Sequence, residues 1–199
     1  MEMSSQSIID FMKSRRSVRA RDMAAPGPTP DQLQQMLTIA ARVPDHGKLA
    51  PWRFIVLTQT DCEELGALGE HLAQARAGAE GLTDMMREDE RLRFLRAPSV
   101  VCVIASTQEH PKIPAWEQTL SAGAVCYGLM IAAHGMGFAA QWLTGWVAYD
   151  DAFGARLRLQ PNEAIAGFIH IGSNPGPAPE DRPRPSLGDI VQYGLERGD

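Results

Sequence analysis

This sequence is poor in cysteine. Cys62, Cys102 and Cys126 are an odd number in 199 residues and include no C-x-x-C pair. A complete disulfide framework is therefore excluded. The three are expected as buried thiols in a reducing, cytoplasmic setting, rather than as a catalytic nucleophile. A positive net charge is also lacking. The 19 Lys and Arg against 24 Asp and Glu leave −5 at pH 7, which argues against nucleic acid as a general partner. The N-terminal "MEMSSQSIIDF" has no apolar core segment, so no signal peptide is expected. One further absence is local: from Gln118 to Tyr149 there is no Asp, Glu, Lys or Arg. On length this run could span a membrane, but Gly123, Gly128, His134, Gly135, Gly137 and Gln141 break its apolarity. A buried helix followed by a buried strand is the expectation.

Several catalytic signatures are missing as well. There is no Walker A loop, no G-x-S-x-G, no pair of histidines at i, i+4 and no Cys/His set at zinc spacing. "GMGFAA", 135–140, matches G-x-G-x-x-A in form. The dinucleotide fingerprint, however, follows a strand and opens a helix, whereas here a helix ends and a strand begins. Gly135 and Gly137 read instead as a helix C-terminal signal. His71 and His110 are expected on the surface, and His134 and His170 as satisfied core residues. Hydrolytic and metal-dependent chemistry have no visible apparatus.

What is present suits a globular chain: 44% hydrophobic and 22% charged residues, enough for a core within one domain spanning 1–199. Ser7 to Ser14 reads as a short helix. "TPDQ", 29–32, is a helix start with Thr29 as cap, Pro30 at the first position and Gln32 completing a capping box. Leu33, Met36, Leu37, Ala40 and Ala41 follow at helical spacing, and Pro44 stops the helix. "RFIVLT", 53–58, reads as a strand. Thr60 with Glu63 reads as a second capping box, Gly78 and Gly81 as interruptions, and Thr83 as the cap of a helix to about Phe94. "SVVCVIAS", 99–106, is a fully buried strand by its continuous β-branched run. Pro114 starts a long helix rich in small residues and ending near Gly135. "AAQWLTG" and "AIAGFIHIG" are two further strands. The Pro-rich segment from about 173 to 199 reads as irregular. Strands alternating with helices predict a three-layer α/β or α+β sandwich.

Against the acidic background, one cluster stands out. Lys13, Arg15, Arg16, Arg19 and Arg21 put five cations into nine residues. Cations at a helix C-terminus complement its dipole, each by about 0.3–1 kcal/mol, which accounts for one or two of them. The alternative is an anion site, where charge-assisted hydrogen bonds contribute about 1.5–3 kcal/mol each and an arginine fork fits phosphate. Two more stretches add to it: "RVPDHGKLAPWRFIV", 42–56, and "EDRPRPSLGDIVQYG", 180–194, with Arg182 and Arg184.

Taken in order, "SIIDFMKSRRSVR", "TPDQLQQMLTIAARVPDHGKLAPWRFIVL", "APSVVCVIAS", "WEQTLSAGAVCYGLMIAAHGMGFAAQWLTG", "AIAGFIHIGSNPG" and "RPRPSLGDIVQYG" resemble the nitroreductase family. The "PDH" loop and the short length look most like its compact bacterial subgroup. The resemblance implies an α+β fold, a three-layer α-β-α sandwich with a mixed central sheet, in an obligate homodimer holding one FMN at each end of the subunit interface. It places Arg15, Arg16 and Ser17 on the FMN phosphate and ribityl chain and Arg19 at the pyrimidine edge of the ring. Arg42 and His46 would come from the other subunit. Leu143, Thr144 and Gly145 would line the flavin through backbone groups, and Arg182 and Arg184 would hold the phosphate.

The resemblance further implies an enzyme in which hydride passes from NADH or NADPH to the flavin and on to a nitro compound, a quinone or a similar electrophile. The cofactor carries the chemistry, so no catalytic side chain is expected, and no metal, nucleic acid or membrane partner. Dehalogenation, flavin breakdown and flavin binding without turnover are the alternatives on the same fold. Two positions depart from larger members: Lys48 and Ala50 stand where Asn and Gln are common, which puts direct flavin contact by Lys48 in doubt. The 78–94 segment, which covers the pocket in the family, says little about substrate.

Overall fold

The computed structural model describes residues 5–195; the ends of the 1–199 span, 1–4 and 196–199, lie outside the described residues. The elements begin where short polar side chains stop the backbone. Thr29 caps α2 (Pro30–Ala40): its hydroxyl accepts from the Gln32 amide at 3.3 Å, and the Gln32 side chain accepts from the Thr29 amide at 2.9 Å. This is the expected capping box. The next box is displaced from its expected place. Thr58, not Thr60, caps α3 (Gln59–Ala77), with Asp61 as the reciprocal partner. The chain leaves β1 (Trp52–Leu57) at Thr58 and turns immediately, so the earlier threonine holds the cap position. Thr83 caps α4 (Asp84–Arg91), which ends three residues before Phe94 and passes into a turn. α1 covers Ser5–Ser14.

β2 (Ser99–Ser106) and α5 (Ala115–Gly135) match the expected bounds. At the end of α5, Gly137 has φ 85°; its amide bonds the His134 carbonyl at 3.0 Å, and the Phe138 amide bonds the Ala133 carbonyl at 2.9 Å. This double closure is a helix C-cap, so "GMGFAA" is a helix end and not a phosphate loop. β3 (Ala139–Leu143), α6 (Asp151–Arg156) and β4 (Glu163–Gly172) follow. The tail is not wholly irregular: α7 (Leu187–Ile190) makes one turn in it.

Among the described residues four strands pair in the order β1-β2-β4-β3, and every pair is antiparallel. The expected mixed sheet is therefore corrected. β2 and β3 do run parallel, as a strand–helix–strand crossover requires, but β4 lies between them and opposes both. Side chains alternate across the sheet. Val101, Val103, Ile169 and Ile171 face α2 and α5, packing on Met36, Val125 and Leu129. Val100, Cys102, Ile104 and Phe168 face α3 and α6 with Leu65, Phe94 and Phe153. Cover on both faces is why 99–106 reads as an unbroken apolar run.

The thiols of Cys62, Cys102 and Cys126 are free and buried. Burial pushes Cys62 up to about 11 and Cys126 to about 12, and it raises Cys102 as well, so none is a nucleophile at neutral pH. His71 and His110 are exposed. His170 is buried, and only half satisfied: Nε2 lies 3.1 Å from the Arg93 carbonyl, while Nδ1 has no partner. Desolvation lowers its pKa and keeps the ring neutral. Among the described residues no helix is long and apolar enough to cross a membrane.

Candidate functional site

The basic cluster lies just past α1. Arg15 closes that helix through its amide on the Phe11 carbonyl, and the chain then runs extended to a single 3-10 turn at Ala20–Asp22. Arg16 takes the dipole role: its Nη1 donates to the Lys13 carbonyl at 2.6 Å and to its own neighbour, the Arg15 carbonyl, at 2.9 Å. Val18 and Met23 pack with Ala97 and Ala139 beneath the turn. The Ala20 amide bonds Oε1 of Gln141 on β3 at 2.6 Å. The turn is thus moored to the strand that leads into Leu143–Gly145.

A cavity of about 820 Å³ opens over this turn. Arg15, Arg16, Ser17 and Arg19 line it from one side and Arg182 and Arg184 from the other. Lys13 and Arg21 do not line it. Asp22, Glu180 and Asp181 add three carboxylates to the five arginines. Arg16 Nε meets Asp181 at 2.6 Å, and Arg19 Nε meets Asp22 at 2.6 Å. The Arg16 contact holds the exposed Asp181 carboxyl below its ordinary range. Among the described residues, Arg15, Arg182 and Arg184 make no ion pair: Arg15 Nη1 reaches Ser17 Oγ at 3.4 Å, and Arg184 only backbone carbonyls. Three open guanidinium groups beside a large cavity suit a phosphate dianion.

The remaining expected residues are elsewhere. Leu143, Thr144 and Gly145 leave the end of β3 outside that cavity. Gly145 has φ 66°, and a Cβ there would sit 3.3 Å from Arg93 Nη1, so both backbone and space call for glycine. Arg93 is itself gripped by Glu90 at 2.6 to 3.0 Å, and Glu90 accepts from the Trp146 indole at 3.2 Å. A rigid layer therefore backs the loop. Arg42 is exposed, and its side chain has no partner among the described residues. His46 Nδ1 meets Glu117 Oε2 at 2.7 Å. Asp45 braces their loop by accepting from the amides of Leu49 and Ala50 at 3.1 and 2.9 Å. Lys48, with φ 57°, is exposed in that loop. Within one chain, then, the arginine turn and the 182–184 pair converge, and Arg42 and His46 stay apart from them.

The nitroreductase family model matches residues 12–173 of this sequence. The chain belongs to the nitroreductase family. A curated relative named "Putative NAD(P)H nitroreductase YdjA", from Escherichia coli K12, is 32% identical over 83% of this chain and 87% of its own length. Among solved structures, a nitroreductase-like family protein from Bacillus cereus superposes with TM-score 0.76 at 23% identity, covering 97% of this chain and 98% of that one. A nitroreductase with bound FMN from Bacteroides fragilis gives 0.68 at 22% identity, covering 94% and 98%. These two likenesses establish the nitroreductase fold.

Three residues of this nitroreductase's candidate site escaped the sequence reading. Gln141 sits in a strand, where alternation shows only a polar position. Asp181 stands beside Arg182 in the sequence and looks like a loop charge until it reaches Arg16. Asp22 carried a usable signal, its i+3 spacing from Arg19, which is the spacing of their ion pair.

Proposed function

We propose that this chain is an NAD(P)H-dependent FMN oxidoreductase acting on a nitro compound, a quinone or a similar electrophile. The observation that carries this reading is the meeting of the 15–19 arginines with Arg182 and Arg184 on one cavity, in a chain of this family. Arg15, Arg182 and Arg184 would hold the phosphate of FMN, with Arg16, paired to Asp181, beside them. Ser17 Oγ is placed for the ribityl chain. Arg19, further along the turn, presents its guanidinium to the pyrimidine edge of the ring, where a cation favours negative charge. The backbone of Leu143–Gly145, backed by Arg93, orients the ring and shields one side from water. FMN, when bound, supplies the hydride chemistry.

The ring end of this site needs a second copy of the chain. Along α5, Trp116, Leu120 and Tyr127 leave an exposed apolar stripe, with Trp116 68% exposed, in the part of the chain richest in uncharged residues. A homodimer that covers this stripe brings the neighbour's Arg42 and His46 to the flavin. The protein then works as a dimer in the cytoplasm, its whole span folding as one domain.

The visible spectrum of the purified protein tests the reading. Bound flavin and NAD(P)H oxidation with parallel double-reciprocal lines are expected, since one flavin face serves donor and acceptor in turn. Colourless protein that takes up no added FMN overturns it; bound FMN with no NAD(P)H oxidation reduces the protein to a flavin binder.

A further inference from the structure

His134 lies in the last turn of α5, half-buried, with a backbone carbonyl at each ring nitrogen. Nδ1 is 2.7 Å from the Met130 oxygen, and Nε2 is 2.8 Å from the Arg16 oxygen. A carbonyl oxygen can only accept. A neutral imidazole has one N–H, so it serves one carbonyl and turns a lone pair on the other; the doubly protonated ring donates to both. The end of a 21-residue helix is also where a cation is favoured. The second carbonyl belongs to the residue at the middle of the arginine turn, 118 positions away in sequence.

We propose that His134, donating through both ring nitrogens, is the positioning residue that fixes the arginine turn for the phosphate of the flavin. The inference rests on the FMN reading above. The charged groups of the turn that His134 meets are Lys13, Arg15, Arg16 and Arg19, with Asp181 paired to Arg16 and Asp22 to Arg19; the ring touches the turn through the Arg16 carbonyl. α5 from Gln118 onward and β3 contribute none. Only the doubly protonated ring gives both carbonyls a donor. When the proton leaves, one of the two bonds becomes a contact between lone pairs. The Arg16 backbone is then released, and with it the placement of the guanidinium groups on either side.

The test is FMN affinity, read by flavin fluorescence, from about pH 5.5 to about pH 8.5, the range in which imidazoles titrate. His134→Gln keeps a single donor end and no charge. The phosphate's own ionisation affects both proteins alike, so it cancels in their ratio of Kd. That ratio should be about tenfold at the acid end, for the loss of a charge-assisted bond, and should fall toward one at the alkaline end. A ratio that does not change with pH overturns the inference, whatever its size, because a merely structural histidine would give one. His134→Lys is the second variant: its ammonium donates at every pH in the range, so its affinity relative to the native protein should rise with pH. A constant ratio there is equally fatal. Native protein that binds no FMN at any pH sinks the flavin reading itself; native binding with pH-independent ratios sinks the histidine alone.

Discussion

Arginine and carboxylate meet over two cavities of this molecule, and the two are built differently. In the smaller, about 460 Å³, between β1, α3 and the end of α6, Arg53 forks onto Glu163 with Nε and Nη2 at 2.7 and 2.8 Å. The Glu163 side chain is 5% exposed, and Arg156 beside it is taken up by Glu64. In the larger, Arg16 and Arg19 each meet one carboxylate through one nitrogen, and among the described residues Arg15, Arg182 and Arg184 meet none. A fork closed on a buried carboxylate has its charge already paired. Guanidinium groups without a carboxylate partner, around a larger cavity, do not. The first arrangement holds β1 to the start of β4, and the second leaves guanidinium groups without a carboxylate partner.

The largest expected effect follows from that contrast. Arg184→Ala should weaken FMN binding by one to two orders of magnitude, roughly the worth of a charge-assisted contact, whereas Arg53→Ala should leave FMN affinity within about twofold. Equilibrium titration with FMN separates them; equal losses would erase the distinction between the cavities.

Stability should show the reverse. The Arg53 hydrogen bonds hold the Glu163 carboxyl down at about 2, well below the ordinary glutamate value of 4.5. A depressed carboxylate stabilises the fold above its unfolded pKa, and that contribution is lost as pH falls from about 4.5 through about 2. Glu163→Gln should lower unfolding free energy by about 1–2 kcal/mol at neutral pH. The deficit should shrink on acidification through that window, as denaturant titrations at each pH would record.

A smaller effect sharpens the assembly side. Arg42→Ala should weaken FMN several-fold, about 1 kcal/mol, and more so on dilution, because binding and dimerisation are linked if the neighbour supplies this residue. Sedimentation of apo and loaded protein reads the linkage, and an affinity that ignores dilution breaks it.

Asp181→Asn should strengthen FMN binding by about two- to threefold, since an exposed pair is worth little. On the proposed FMN site the carboxylate would compete with phosphate for Arg16; weaker binding would mean that it assists instead. The least change is expected from Cys62, Cys102 and Cys126 replaced singly by Ala. Turnover per folded molecule should hold, because each thiol is kept protonated by burial.

What the amino-acid order determined by itself is what rests on contacts within a few residues. Thr29 and Gln32, Thr83, Pro114 and Gly137 set helix ends through bonds that span three to five positions, and β2 is legible because both its faces are apolar. Where two candidates compete locally, as Thr58 and Thr60 do, pattern alone chose the wrong one, since the exit point of β1 decides. The arginine cluster was legible by charge density, and its reading as a flavin site came from family likeness. Tertiary structure alone decided that β4 enters between β2 and β3 and turns the sheet antiparallel. It also decided that residues 15–19 and 182–184 face one cavity, that Asp181 reaches Arg16, and that His134 meets the Arg16 carbonyl. Each of these joins segments more than a hundred residues apart or depends on strand order, and is fixed by how the core on both faces of the sheet packs rather than by neighbours in the chain.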